Sequence, residues 1–279
     1  MLKRVYLKDA GDGTMFEWHS AIRLIQHWLM INDDKTEFLL IGTRQQLNKI
    51  NPCYITVGDI NINPVSSVRN LGSWFDNKLC MSKHITKACN AAFFHLYNIR
   101  RIKKYLSRDC LLTLVHAFVT NRLDYCNILL YGLPKVQIAK LQRVQNAAAR
   151  LILNLEKYSS ISPALYELHC MLPVNSRIHF KILILTFKSI YALCPSYIND
   201  LITIKSTYSL TSNDSLYLEC PKGNMLPTLG ARSFHAAASE LWNSLPAEIR
   251  DIKSLSIFKQ RVKTHLLQRA FRSFIITSS

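Results

Sequence analysis

The fold is decided by a stretch in the middle of the chain, from Pro134 to Leu155, which reads PKVQIAKLQRVQNAAARLILNL. Pro134 suits the first turn of a helix, because its fixed φ and missing N–H cost nothing there. Behind it, apolar residues recur at the spacing of one helix face. That stripe consists of Ile138, Leu141, Val144, Ala148, Leu151 and Leu155. The stretch therefore predicts a long amphipathic helix with one face in a helical core.

Helical spacing continues on both sides of this stretch. A helix is predicted from Lys83 to Leu106, and Ser107 is a suitable N-cap for the next one. The stripe of that next helix contains Leu111, Leu114, Val115, Phe118 and Arg122. Further helices are predicted at 162–171, from Asn175 onwards, at 232–244 and at 254–270, with a loop at about 204–227. The Asn175 helix is almost uniformly apolar, so we expect it at the centre of the bundle.

The first 80 residues show a mixed pattern. Residues 1–15 have no clear period and are predicted to be a loop, whereas helical spacing predicts a helix over 16–30. Short apolar runs predict strands at 38–41 and 68–75, and a hairpin over 54–62 that turns at Gly58-Asp59. The predicted fold class is therefore mainly α, with a small mixed α/β region at the N-terminus followed by helical regions.

The chain is strongly basic. Its 279 residues include 35 Lys and Arg against 18 Asp and Glu, which gives a formal net charge of +17. Such a charge favours a polyanionic partner, either nucleic acid or an anionic membrane surface. The most apolar segment, 178–193, contains Lys181 and Lys188 and is shorter than the ~20 apolar residues that span a bilayer. We therefore expect nucleic acid rather than a membrane as the partner.

Other classes of site have little support in the sequence. The eight cysteines form no C-x-x-C pair and no signal peptide is recognisable, so reduced thiols and an intracellular location, nucleus or cytoplasm, are expected. The nine histidines are dispersed, which argues against a metal site. No G-x-S-x-G, P-loop or G-x-G-x-x-G motif occurs, and a small-molecule substrate is not expected. Trp242, with Leu245 and Pro246, is predicted to be a packing anchor.

A series of short segments then points to a family. In chain order they are Lys35-Thr36-Glu37-Phe38-Leu39, Val68-Arg69-Asn70-Leu71-Gly72, Phe75-Asp76, His84-Ile85, Arg122-Leu123-Asp124-Tyr125-Cys126-Asn127, Leu130-Tyr131-Gly132-Leu133-Pro134, Leu141-Gln142-Arg143-Val144-Gln145-Asn146-Ala147-Ala148-Ala149-Arg150, Leu172-Pro173-Val174, Arg177-Ile178, Leu241-Trp242-Asn243-Ser244-Leu245-Pro246 and Phe258-Lys259. With these segments, the chain resembles the C-terminal half of the reverse transcriptase of a non-LTR (LINE-type) retrotransposon, of the Jockey and chicken-repeat kind. The resemblance covers roughly residues 16–270 in collinear order.

The resemblance implies an organisation and a partner. Residues 1–80 would be a partial palm and primer-grip remnant, 81–158 thumb-like helices, and 159–279 a helical C-terminal region. The function of the family is RNA-directed DNA polymerisation, so the implied partners are RNA and DNA as template and primer.

The acidic groups that polymerisation needs are missing. The family holds two divalent ions with an aromatic-x-Asp-Asp hairpin and a further upstream aspartate, which activate the primer hydroxyl. Neither feature occurs in this chain, and the adjacent pair Asp33-Asp34 fits a solvated turn better than a metal site. We therefore assign no catalytic residue, no metal ligand and no cofactor to this chain, although the complete family enzyme uses Mg²⁺.

The candidate nucleic-acid-binding residues lie in a basic segment between residues 76 and 150. This segment holds 13 Lys and Arg and only three acids, Asp76, Asp109 and Asp124, a net of +10. The candidates are Lys83, Lys87, Arg100, Arg101, Lys103, Lys104 and Arg108, with Tyr97 and Tyr105 beside them for base stacking. Two other interpretations stay open: an ordinary solvated helix surface, and a helical interaction module or non-functional relic with no nucleic-acid role.

Overall fold

The computed structural model describes residues 5–9, 15–17, 36–49, 54–57, 60–156, 158–168, 171–205, 216–221 and 230–278. Contacts divide the chain into two compact units, Met1–Lys87 and Ala88–Ser279. The mainly helical fold class is confirmed, with strands confined to the first unit apart from one isolated bridge, Ile204 to Leu218, among the described residues. The boundary between the units falls after Lys87. The predicted functional divisions after residues 80 and 158 stay predictions.

The first unit contains short strands and a short helix. Their bounds are β1 Val5–Asp9, β2 Met15–Glu17, β3 Glu37–Ile41, α1 Arg44–Lys49, β4 Ile55–Val57, β5 Ile60–Ile62, β6 Ser67–Asn70 and β7 Ser73–Asp76. Strand β1 pairs with β2 antiparallel and with β3 parallel, while β4–β5 and β6–β7 are antiparallel hairpins. Alternate residues of β3 enter two apolar clusters, Phe38 and Leu40 with Ile55, and Leu39 with Val68, because successive strand residues point to opposite faces.

Two predictions at the N-terminus were wrong. Residues 1–15 are not all loop, because Val5–Asp9 forms the strand β1. Its backbone hydrogen bonds go in part to β3, a strand about 30 residues later in the chain, so local spacing does not predict it. The helix predicted over 16–30 fails at its start, because Phe16 and Glu17 belong to β2; its remainder lies outside the described residues. By contrast, the strand at 38–41 and the hairpin over 54–62 are confirmed, although the turn at Gly58-Asp59 also lies outside them.

The strand predicted over 68–75 is a hairpin instead. The chain reverses at Leu71 and Gly72, whose φ angles are 46° and 87°. Two successive residues with positive φ form the tight turn that matches the twist of paired strands, and glycine adopts this conformation without strain. Val68 consequently pairs with Phe75, and Asn70 with Ser73.

The second unit is a bundle of helices. Their bounds are α2 Ser82–Ile102 (which begins in the first unit), α3 Arg108–Val115, α4 Asn121–Asp124, α5 Lys135–Leu153, α6 Ser162–Glu167, α7 Val174–Ile190, α8 Ser196–Asn199, α9 Phe234–Asn243, α10 Ala247–Arg250 and α11 Leu255–Ser278. Short 3₁₀ turns lie at Lys103–Tyr105, Asn127–Leu130 and Gly230–Arg232. The helices predicted around 83–106, 134–155, 175, 232–244 and 254–270 are thus present, whereas α1, α8 and α10 were not predicted.

Helix α7 occupies the centre of this bundle. Ile178, Ile182 and Phe187 have no exposed surface, and α7 packs against α5, α9 and α11. The ring of Phe187 stacks on that of Phe258 in α11 with 4.5 Å between centroids. Trp242 is fully buried as well and donates a hydrogen bond from Nε1 to the carbonyl of Leu216. The predicted central helix and packing anchor are therefore confirmed.

Two helix ends differ from the sequence prediction. Helix α5 stops at Leu153 because Asn154 adopts a left-handed conformation with φ of 55°, which asparagine tolerates better than most residues. Leu155, which was predicted on the apolar stripe, therefore lies beyond the end of the helix. Helix α6 ends at Glu167 rather than near 171.

A π-helical turn, His116–Thr120, joins α3 to α4. Ser107 caps α3 as predicted, its Oγ accepting from the backbone N–H of Cys110. The buried residues then recur at every fourth position, Leu111, Val115, Val119 and Leu123. An α-helix of about 3.6 residues per turn would rotate such a series off the core, whereas the wider π turn keeps it on one face. Phe118 and Arg122, predicted on the buried stripe, are consequently exposed.

Candidate nucleic-acid interface

Helix α2 presents two different faces within the second unit. Cys89, Ala92, Leu96 and Ile99 are buried and follow the helical period, as the sequence predicts. Several other side chains of the helix are large and exposed, namely Phe93, Phe94, Tyr97, Arg100 and Arg101. The helix therefore offers an aromatic and cationic surface to solvent.

The cations are concentrated at the C-terminal end of α2. Arg100 and Arg101 occupy its last turn, where the negative end of the helix dipole stabilises positive charge. Within the part of the chain that the structure describes, Arg100, Arg101 and Lys104 form no ion pair with a carboxylate. These three side chains can accordingly contact a phosphate without breaking an internal ion pair.

Two tyrosine rings accompany these cations. The Arg101 guanidinium lies 6.0 Å from the centre of the Tyr97 ring, and the Lys104 Nζ lies 4.8 Å from that of Tyr105. Both rings are largely exposed, 62% for Tyr97 and 76% for Tyr105. Cation and ring adjoin each other in both pairs, which is the combination that contacts a phosphate and a base together.

Lys103 and Arg108 have partners within the protein. The half-buried Lys103 donates from Nζ to Oδ1 of Asn154 at 2.9 Å. Arg108 forms an ion pair with Glu167 at 3.0 Å, with both side chains more than half exposed. These two predicted binding residues therefore also connect the start of α3 and the 3₁₀ turn before it to α6 and the end of α5.

Lys83 and Lys87 belong to the first unit, whereas the other five predicted residues belong to the second. The Lys83 Nζ lies 3.8 Å above the Trp74 ring and donates to Oγ of Ser67 at 2.7 Å. Lys83 thus packs on the β6–β7 hairpin, and Lys87 is exposed on α2.

The few acids near the basic segment do not offset its charge. The carboxylate of Asp124 accepts hydrogen bonds from Nε and Nη2 of Arg177, so its charge is neutralised internally.

His95 is held towards its neutral form, because burial and the nearby Arg122 lower its pKa. The neutral ring stacks on Phe118 with 5.2 Å between ring centres.

The polar residues of several family-like segments are engaged in the fold. Gln145 donates to the carbonyl of Leu172 at 2.7 Å, and Gln142 accepts from the N–H of Val174 at 2.9 Å. Asn243 exchanges two hydrogen bonds with the backbone of Leu218. These side chains attach α5 and α9 to neighbouring segments and are not available for chemistry.

Sequence reasoning missed Phe93, Phe94, His95 and Phe118 as site residues. A signal was present, because Phe93, Phe94 and Tyr97 repeat at helical spacing on the face opposite Ala92, Leu96 and Ile99. Phe118 carried no such signal, since the π turn alone brings it to the surface.

Other kinds of site have weaker structural support. A groove of about 490 Å³ between α10 and α11 is lined by Glu248, Ile257, Arg261 and His265 among others. Among the described residues, no group of three His, Cys, Asp or Glu side chains could hold a metal ion, and none of their helices is long and apolar enough to cross a membrane. Asp33 and Asp34 lie outside those residues.

Comparisons of the chain with protein-family models, with curated proteins and with solved structures give no match.

Proposed function

We propose that this chain is a catalytically incomplete fragment of a non-LTR retrotransposon reverse transcriptase that retains binding of template-primer nucleic acid. One observation carries the binding half of the proposal: Arg100, Arg101 and Lys104 are exposed together, without carboxylate partners among the described residues and beside exposed tyrosine rings. An ordinary solvated surface intersperses acids among its cations, and of the predicted binding residues only Arg108 pairs with one, Glu167, among the described residues.

The wider charge distribution supports the same partner. Between residues 88 and 150 the chain has ten Lys and Arg against Asp109 and Asp124. Asp124 is paired with Arg177, so its negative charge is offset locally. A field of this sign attracts polyanions and accelerates their association.

The fragmentary nature of the proposed protein is supported by the sequence. The family-like segments continue in order to Phe258-Lys259, but the aromatic-x-Asp-Asp motif is absent. Without those carboxylates the chain has no evident means of placing two divalent ions at a primer end. The proposal is therefore binding through phosphates with little sequence preference, without nucleotide addition.

A salt titration tests this function. Fluorescence anisotropy with a labelled single-stranded oligonucleotide would give affinity at several salt concentrations for the wild type and for the triple variant R100E/R101E/K104E. Each engaged phosphate contributes about −0.7 to the slope of log affinity against log salt on a single strand. We expect the triple variant to lower the magnitude of the slope by about 2.

The matched control is K259E/R261E/K263E, which makes the same change of charge at exposed positions on α11. It should weaken binding through net charge while leaving most of the slope unchanged. An equal loss of slope in both variants would show a scattered positive surface. Absence of binding by the wild type at low salt would favour the interaction module or relic without a nucleic-acid role.

A further inference from the structure

The face of α2 that lies opposite the core is unusually rich in exposed rings. Phe94 and Tyr97 are each 62% exposed, and Phe93 lies beside them on the same helix face. The helix packs against the core through other residues, among them the buried Ala92 and Leu96. The exposed rings of Phe93, Phe94 and Tyr97 are therefore not needed for that packing. Contiguous exposed apolar surface of this kind marks interaction sites more often than chance.

Ring contacts connect Phe94 to Phe118 through His95. Phe94 contacts the His95 ring edge-on at 5.6 Å between centres, and His95 stacks on Phe118. At the other end, the guanidinium of Arg101 adjoins the Tyr97 ring. We call the surface made by Phe93, Phe94, Tyr97 and Phe118 the α2 aromatic face.

Cations border the α2 aromatic face at both ends. Arg101 lies beyond Tyr97, and the exposed Arg122 follows Phe118 by four residues, about one helical turn. An occupant that matches this surface has flat apolar faces and regularly spaced negative charges. Unpaired nucleotides have both, because every base presents a π face and every link carries a phosphate. A duplex offers phosphates and base edges but no free base faces along its length, since those faces are stacked on one another.

We propose that the α2 aromatic face binds single-stranded nucleic acid by stacking bases on Phe94 and Tyr97, while Arg101 and Arg122 contact the flanking phosphates. This inference rests on the proposed function and specifies the form of nucleic acid that the site takes. From Phe94 to Arg101 the helix rises by about 10 Å, which is the axial length of about three nucleotides. The site therefore accommodates a short unpaired stretch.

Alanine substitution of the rings tests the stacking. The probes are a labelled 12-nucleotide oligothymidylate and a blunt 12-base-pair duplex. Anisotropy compares their affinities at one fixed low salt concentration, and the single-strand titration is then repeated over a salt series. We expect Y97A and F94A each to weaken binding of the single strand by roughly five- to thirtyfold, since each ring stacks one base. Y97F should retain binding, because it keeps the ring. The slope with salt should stay unchanged in all three, since no charge is altered.

The matched control is Y197A, which removes an equally exposed tyrosine from α8. It should bind as the wild type does.

A wild type that prefers the single strand at least tenfold over the duplex, with the preference lost in F94A/Y97A, supports the proposal. Unchanged affinity in F94A/Y97A, with the slope still reduced by R100E/R101E/K104E, overturns the stacking site and leaves the proposed function standing. Wild-type protein that dimerises in sedimentation, and becomes monomeric in F94A/Y97A, shows that a second copy covers the face and overturns the proposal. No binding of either probe defeats the proposed function itself.

Discussion

Asp124 ends α4 and accepts hydrogen bonds from Arg177 on α7, while Nδ2 of Asn127 donates a further one at 3.2 Å. Both side chains of the ion pair are mostly buried, with 21% of Asp124 and 15% of Arg177 exposed. Desolvated charges of this kind attract each other more strongly than surface pairs, and either one alone is costly to bury. The pair therefore fixes α4 against the central helix.

We expect Asp124→Asn to lower the free energy of unfolding by about 2–3 kcal/mol, because Arg177 then keeps its charge in a largely dry site. Urea unfolding followed by circular dichroism measures this loss, and a cycle with Arg177→Met isolates the coupling. The exposed pair Arg108–Glu167 is the control, and Glu167→Gln there should cost less than about 1 kcal/mol. Equal losses at the two pairs would show that burial does not strengthen the first.

At the scale of elements, α7 holds the bundle together, and its two faces differ. Ile182 is completely buried, whereas Leu185, which belongs to the same apolar run, is half-buried. The apolar run alone does not distinguish these positions, because nearly every residue in it is hydrophobic. The contacts with α5, α9 and α11 decide which side chains lose their surface.

Ile182→Ala should destabilise the protein by about 3–4 kcal/mol, since it leaves a cavity among fully packed neighbours. Leu185→Ala should cost about half as much, because part of that side chain already contacts water. Equilibrium unfolding in urea would compare the two variants. A loss below about 1 kcal/mol for Ile182→Ala would mean that α7 is peripheral to the stability of the unit.

The long helices could be predicted from sequence because their signals are local. The apolar stripe of α5 and the Ser107 cap of α3 each lie within a few turns of chain. Strand β1 depends on β3 for its hydrogen bonds, and the exposure of Phe118 depends on a change of helix type, so neither follows from local spacing. The basic residues of the candidate site were predictable from composition, whereas the internal partners of Lys103 and Arg108 required the fold.

At the scale of the whole molecule, the net charge favours binding of nucleic acid, whereas the acid content argues against catalysis. The net charge of +17 favours binding of a polyanion, while the missing aromatic-x-Asp-Asp motif removes the ligands for catalytic metal ions. Under the proposed function, the chain would occupy a primed template without extending it.

We therefore expect no DNA synthesis above background when the purified chain is incubated with a primed RNA template, deoxynucleotides and Mg²⁺. Gel analysis of a labelled primer measures extension, with an active reverse transcriptase as the positive control. Extension that persists in D33A/D34A would reveal a metal site that the sequence does not show. Extension that disappears in D33A/D34A would assign catalysis to that acidic pair, contrary to our interpretation of it as a solvated turn.

The π-helical turn at His116–Thr120 has a consequence for insertions and deletions. A π turn holds one residue more than the α-helical turn it replaces, so losing one residue within it would leave Leu111, Val115, Val119 and Leu123 at the spacing of one α-helical face. Asp124 would then keep its orientation towards Arg177. A single-codon deletion in this segment would thus spare the ion pair, whereas one within the regular helix α5 would turn every later residue of that helix by about 100° away from its contacts.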